Sequence, residues 1–298
     1  MHRTNCRVKP LKSHKSKQGV NMFFADGNLY YADAPVKKVI KYSVDDQDIL
    51  ATLYTKKRSA FIIPIYKKSR LPTELTIQNS VLICDGLQIK VVDLDSKAEL
   101  DVSLSDDTGL EGHVGSSATH NTGQLFFSVI QTGISHIRLT FVKDCSRLFG
   151  IDMTKNRIVY FNMDQLLISS PISYLNWGDS PLVENSQARG LTIDSSDHLW
   201  MCCSGEGKVI QVDLETKAII KEISTPRARQ LSSLCFGGND YRELFVASSY
   251  AGLAQDELTR QINAGHIFSA KGYSNVRGRK PTPVYLDLPS GSVMTPNE

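Results

Sequence analysis

The stretch SQARGLTIDSSDHLWMCCSGEGKVIQVDLETK, Ser186 to Lys217, decides the reading of this chain. Its apolar runs, rich in β-branched and aromatic residues, are separated by polar turns, Asp-Ser-Ser-Asp first and Gly-Glu-Gly second. Such short runs form antiparallel hairpins, because branched side chains pack well on a pleated surface and glycine adopts the backbone angles of tight turns. Within this stretch Arg189 stands just before the first strand run, a permanent cation at the entrance of a sheet.

The same pattern recurs along the chain. It returns in ADGNLYYADAPVKKVIKYSVDD from Ala25, KDCSRLFGIDMTKNRIVYFNMD from Lys143 and GNDYRELFVASS from Gly238, with weaker copies in QNSVLICDGLQIKVVDLDSK and NTGQLFFSVI. The apolar anchors of these copies are Leu29, Leu82, Leu125, Leu148, Leu199 and Leu244, spaced by 53, 43, 23, 51 and 45 residues. Spacings of about 40 to 50 are those of four-stranded propeller blades. A single blade cannot bury both faces of its sheet, so such units must pack around an axis and close. The expectation is an all-β, six-bladed β-propeller with one incomplete blade around 126–138, where the short spacing leaves out about half a blade. A β-sandwich also has many short strands but gives no reason for a fixed period. The segment AGLAQDELTRQINAG, Ala251 to Gly265, reads as a loop with one helical turn.

Composition agrees with a single globular domain. The 298 residues are 41% hydrophobic and 22% charged, with 34 basic and 31 acidic side chains and a net charge of +3, too balanced to call for nucleic acid. Basic residues concentrate in 1–17, expected as a disordered tail; the propeller is expected over 18–288 and a second disordered tail over 289–298. No window is long and apolar enough for a membrane helix, and the first residues lack the apolar core of a secretory signal, so the expectation is a cytoplasmic protein without membrane contact. Cys84, Cys202, Cys203 and Cys235 lie in apolar strand runs and read as small buried thiols, not as metal ligands.

Three motifs in order resemble the regucalcin (senescence marker protein), gluconolactonase and luciferin-regenerating enzyme family of six-bladed propellers. GLTIDSSDHLWMCCSGEGKVIQVDLETK is similar to the family's strand-turn-strand around D-x-x-G-x-L-W, LSSLCFGGNDYRELFVASS to its F-G-G stretch, and NAGHIFSAKGYSNVRG to its closing G-x-I-F motif. LYYADAPVKKVIKYSVDD and SAFIIPI carry the likeness into the N-terminal blades. The resemblance implies one divalent cation, calcium or zinc, held in the channel by a Glu of G-E-G-P-x-W, an Asn of N-G-L-A-W and an Asp of P-D-G. Such a cation polarises a lactone carbonyl and acidifies a bound water.

Carried over residue by residue, those motifs change. G-E-G-P-x-W falls on KQGVNM, with Gln18 at the Glu; N-G-L-A-W falls on IRLTF, with Ile137 at the Asn and His136 beside it; P-D-G falls on ARG, with Arg189 at the Asp. The substrate-side R-x-N-D-G falls on HVGSS, placing His113 at the Arg and Gly115 and Ser116 at the Asn and Asp. Hard cations need oxygen ligands, and a guanidinium opposes a nearby cation by kilocalories. The expectation is therefore a catalytically impaired propeller with no cofactor, binding a small anionic ligand or a protein partner through Gln18, His113, Ser116, Arg189 and Ser232. Arg189 can instead pair with Glu184 or Asp194. The alternative is an active lactone hydrolase with one divalent cation, Ca or Zn, its site rebuilt from His113, His136 or residues in another register; His113, His120 and His136 together could ligate zinc. Ser116, Ser117 and His120 lack the elbow motif of a nucleophilic serine.

Overall fold

The computed structural model describes residues 6–12, 15–102, 113–130, 137–153, 155–164, 167–176, 186–272, 276–288 and 294–295. Strand β1 (Arg7–Pro10) precedes the first blade in sequence. Blade one is β2 (Gly19–Ala25), β3 (Asn28–Asp33), β4 (Lys38–Ser43) and β5 (Asp48–Tyr54). Blade two is β6 (Ile62–Pro64), β7 (Ser80–Asp85), β8 (Gln88–Asp93) and β9 (Glu99–Asp101). Then comes a two-stranded sheet, β10 (His113–Thr119) with β11 (Leu125–Ile130). A blade follows from β12 (Ile137–Phe141), β13 (Arg147–Asp152), β14 (Arg157–Asp164), β15 (Leu167–Ile168) and β16 (Ile172–Asn176). The next is β17 (Gln187–Ile193), β18 (Leu199–Ser204), β19 (Lys208–Val212) and β20 (Ile219–Ser224). The last combines β21 (Leu231–Gly237), β22 (Glu243–Ser248) and β23 (Ile267–Lys271), with the short helix α1 (Gln255–Arg260) between its second and third strands. Strand β24 (Met294–Thr295) joins β9 of blade two.

The fold is thus an all-β propeller with five sheets of four or five strands and one hairpin among the described residues. The 23-residue spacing marks the place: β10 and β11 form a blade's first two strands, and the next sheet starts at Ile137. The anchors explain why. Leu29, Leu82, Leu148, Leu199 and Leu244 are at most 2% exposed, each lying in a second strand clasped by neighbouring sheets. Leu125, in the hairpin, is only half-buried. Apolar clusters fill the seam between every consecutive pair of sheets, Val114 and Leu125 packing on blade two and Ala118 and Phe126 on the blade after the hairpin. The structure thus has five blades where six are expected, with the hairpin packed between blade two and the sheet that begins at Ile137.

Residues 7–10, expected within a basic tail, are instead strand β1, which pairs antiparallel with β23 from Arg7 opposite Lys271 to Pro10 opposite Phe268. The physical reason is the open edge of the last blade: its unpaired backbone groups gain hydrogen bonds from β1. Gly278 forms a bridge with Asp194, and Arg279 donates to the carbonyls of Phe141 and Lys143. Further along, Tyr285 N–H donates to the Gly123 carbonyl, and Val284 pairs in parallel with Ile65. This segment, 276–288, crosses one end of the ring from the last blades to blade two. The tail expected over 289–298 falls largely outside the described residues. Helix α1 is a turn and a half inside a loop, as the sequence implies. Among the described residues no helix is long and apolar enough to cross a membrane.

Candidate functional site

The inner strands β2, β10, β17 and β21 each carry a bulge or irregularity near their start, between Val20 and Phe23, Val114 and Ser116, Ala188 and Leu191, and Leu231 and Ser233. Extra residues at these points twist the strand and turn side chains toward the axis. Hydrogen bonds there link one blade to the next. Ser232 Oγ–H donates to the Gly19 carbonyl (2.6 Å), and Met22 N–H donates to Ser233 Oγ (3.1 Å), locking β2 to β21. Asn21 Nδ2–H donates to the carbonyls of Ala60 (2.6 Å) and Gly115 (3.4 Å), while Asn21 Oδ1 accepts from Ser116 Oγ (3.2 Å). Ser116 Oγ in turn accepts the Leu139 N–H (3.2 Å). Three serines and one asparagine thus tie inner strands together around the axis.

A cavity of about 180 Å³ occupies the channel beside this belt, lined by Asn21, Ser116, Ser232 and Ser233 and also by Arg279 and Lys280. Gly190 lies on its wall because a Cβ there would stand 2.7 Å from Ser233 Cα; only glycine lets β17 and β21 approach so closely. Cys145 also borders the cavity, buried, with its backbone in the left-handed region.

Of the residues singled out in the sequence, Ser116 and Ser232 line the cavity, both almost wholly buried. Gln18 and Arg189 do not line it. Gln18 lies just before β2, bridged to Ser249, its N–H held by Asp33 Oδ1 at 2.9 Å. Arg189 sits in the β17 bulge, where its guanidinium donates to Gln187 Oε1 at 2.6 Å and reaches Met153 of the neighbouring blade. Asp194, one of its expected partners, is engaged elsewhere: it accepts Trp200 Nε1–H (2.9 Å), Gln211 Nε2–H (2.8 Å) and the His198 N–H (3.0 Å). Among the described residues no carboxylate lies within ion-pair distance of Arg189. Burial pushes its pKa down from the usual arginine value, the mark of a guanidinium losing water without gaining an anion.

His113 opens β10 and Ile137 opens β12, at the same end of the inner strands; their side chains, with Glu184 and His136, fall outside the described residues. His120 is at the β10–β11 turn, its Nδ1 2.8 Å from Thr122 Oγ1 and its ring edge-on to Phe141. Burial lowers its pKa. Ser117 borders the cavity. Sequence reasoning missed Asn21 and Ser233. The signal for Asn21 was its residue type, since asparagine tolerates the left-handed backbone (φ 48°) that this bulge demands.

The donor set does not fit a divalent cation at the positions the resemblance points to. A carboxamide, an aliphatic side chain and a guanidinium stand at the three ligand positions, and the carboxylate nearest Gln18 along its hydrogen bonds, Asp33, already accepts the N–H groups of Lys17 and Gln18. Among the described residues no group of three or more His, Cys, Asp and Glu side chains is placed to hold a metal ion.

Comparison with known proteins places this geometry. Residues 138–250 match the family model described as the SMP-30/Gluconolactonase/LRE-like region. Regucalcin of Gallus gallus is 38% identical over 100 residues, 34% of this chain and 33% of regucalcin; that of Danio rerio is 35% identical over 92 residues, 31% and 30%. The match spans about a third of the length of these curated relatives. A solved luciferin-regenerating enzyme is similar over 95% of this chain and all of its own, with a TM-score of 0.80 at 18% identity. The calcium-binding protein regucalcin from Agrobacterium tumefaciens is similar over 93% and 96%, with a TM-score of 0.77 at 15% identity. The family resemblance read from the motifs holds, and the architecture is the one these structures share.

Proposed function

We infer that this chain, a relative of the regucalcin, gluconolactonase and luciferin-regenerating enzyme family, keeps that propeller while giving up its metal-dependent hydrolysis, and binds a small anionic ligand at the end of the channel where the inner strands begin. The observation that carries this is Arg189: a guanidinium mostly shielded from water in the β17 bulge, bonded to a neutral carboxamide and to no described carboxylate. A carboxylate or phosphate arriving there takes up the rigid fork of donors and relieves the cost of desolvating an unpaired cation. Gln18, just before the inner strand β2, supplies a polar group at the end where the inner strands begin. Among the described residues no disulfide joins any of the six cysteines, five of them buried, which suits a reducing compartment, and cytosolic work is part of the proposal.

The test is direct. Purified protein is assayed for bound metal and for gluconolactone hydrolysis with and without added Ca²⁺, Zn²⁺ and Mn²⁺. Neither stoichiometric metal nor metal-dependent turnover is expected; finding both would restore the lactone hydrolase reading. Carboxylates and phosphates are then screened by thermal shift, with the expectation that Arg189→Asp abolishes the stabilisation given by any hit at this site.

A further inference from the structure

A cleft remote from the channel is built around three arginines. The loop Thr225–Gln230, which leads into β21, is tied down on two sides. Gly205 and Gly207 N–H groups both donate to the Arg229 carbonyl (2.9 and 3.0 Å), and the Thr225 hydroxyl lies between the carbonyls of Gly207 (2.9 Å) and Ala228 (2.8 Å). Asn263 holds the carbonyls of Pro226 and Arg227 through its side-chain and backbone N–H groups (3.0 and 3.1 Å), and Arg229 N–H donates to the buried Gln261 Oε1 (2.8 Å). A Cβ at Gly207 would stand 2.4 Å from the Ala228 carbonyl oxygen, so the approach of turn and loop depends on glycine. The loop is rigid before any ligand arrives, which is what lowers the entropic cost of binding.

Between this loop, the Gly205–Gly207 turn and α1 lies a cleft of about 440 Å³, lined by Arg227, Arg229 and Arg260 with Glu206 and Glu257. None of these residues borders the channel cavity. Both carboxylates are engaged: Glu206 pairs with Lys208 at 3.2 Å, and Glu257 accepts the Ala254 N–H at 3.2 Å. Arg260 is bound to Asp256 on the helix surface. Arg227 and Arg229 have no carboxylate within ion-pair distance among the described residues. Arg227 and Arg229, carried on a fixed backbone, therefore line a cleft whose two carboxylates already have partners, with Arg260 of α1 also in its lining.

We propose that this cleft binds a phosphate group, free or as a monoester. A flat carboxylate is satisfied by one guanidinium fork, whereas two forks, those of Arg227 and Arg229, suit a tetrahedral dianion with three or more exposed oxygens. The site is independent of the channel and of Arg189.

The experiment is calorimetric titration of the full chain with inorganic phosphate at constant ionic strength in chloride, repeated with phenyl phosphate and with succinate. Measured in the Arg189→Asp background, which silences the channel site, saturable binding of one phosphate per chain is expected, at least tenfold weaker when Arg227→Asn/Arg229→Gln is added and unchanged when Arg70→Gln is added. Asparagine is chosen at Arg227 because that residue has φ 53°, which asparagine tolerates. Arg229→Lys, which keeps the charge and loses the fork, is expected to weaken binding while leaving the unfolding midpoint unchanged. Phenyl phosphate binding as well as phosphate assigns an ester, and phosphate binding alone assigns the free ion. The proposal is overturned by no saturation up to about 10 mM phosphate, by binding that survives the double substitution, or by succinate binding as tightly as phosphate.

Discussion

Asn21 shows how much one side chain carries near the axis. Its backbone lies in the left-handed region, and its carboxamide joins blade one to the entry of blade two and to the hairpin. Alanine there would remove the hydrogen bonds to the Ala60 and Gly115 carbonyls and would strain the backbone, a loss of about 1–3 kcal/mol. Asn21→Ala is accordingly expected to lower the urea midpoint with little change in slope; an unchanged midpoint would mean that the belt is dispensable. Arg189, by contrast, stabilises nothing that a described carboxylate could report, so Arg189→Asp is expected to leave the midpoint within error while changing ligand response. Arg189 was legible as a misplaced charge because its neighbours in the motif are distinctive. Asn21 was not, because a bulge is set by pairing between strands far apart in sequence.

Strand-end turns and strand contacts follow more local rules. Asp93, at the end of β8, accepts from Thr76 N–H and Oγ1–H and from the N–H groups of Asp95 and Ser96. Burial pushes its pKa up, but these four hydrogen bonds together outweigh it and hold the carboxyl at about 2. A carboxyl whose folded pKa is depressed contributes stability above its unfolded pKa, near 4, and loses that contribution as pH falls toward 2. Asp93→Asn should therefore destabilise the protein at pH 7 and flatten the decline in stability between pH 4 and 2; equal acid limbs in the two proteins would contradict this. Gly190→Ala tests the β17–β21 contact. Its methyl would meet Ser233 Cα at 2.7 Å, an overpacking cost of about 1–3 kcal/mol read from the same denaturation curves. The buried second strands were plain in the sequence, since each is a run of apolar residues with a leucine anchor. Strand β1 was hidden, because RVKP is polar and basic and becomes a strand only through the edge it meets.

The ring is held at two crossings, where β1 completes the last blade and where segment 276–288 runs from Asp194 to blade two. Val284, Leu286 and Leu288 pack with Leu125 and Val114 beside the two-stranded blade, supplying apolar contact to the thinnest part of the ring. A chain ending at residue 272 is expected to melt about 5 °C or more below the full chain, on the scaling of roughly 2–4 °C per kcal/mol for domains of this size. Equal melting temperatures would show that the crossing is passive. The repeat and its spacing were written in the order of residues, because each blade's second strand must be apolar on both faces wherever it stands in the ring. Which side chains reach the axis, what Arg189 touches and where the arginines of the 225–230 loop gather were decided only by closure. Those placements depend on bulges, edge pairing and glycine contacts between residues as much as two hundred positions apart, such as Met22 and Ser233, and no local pattern encodes them.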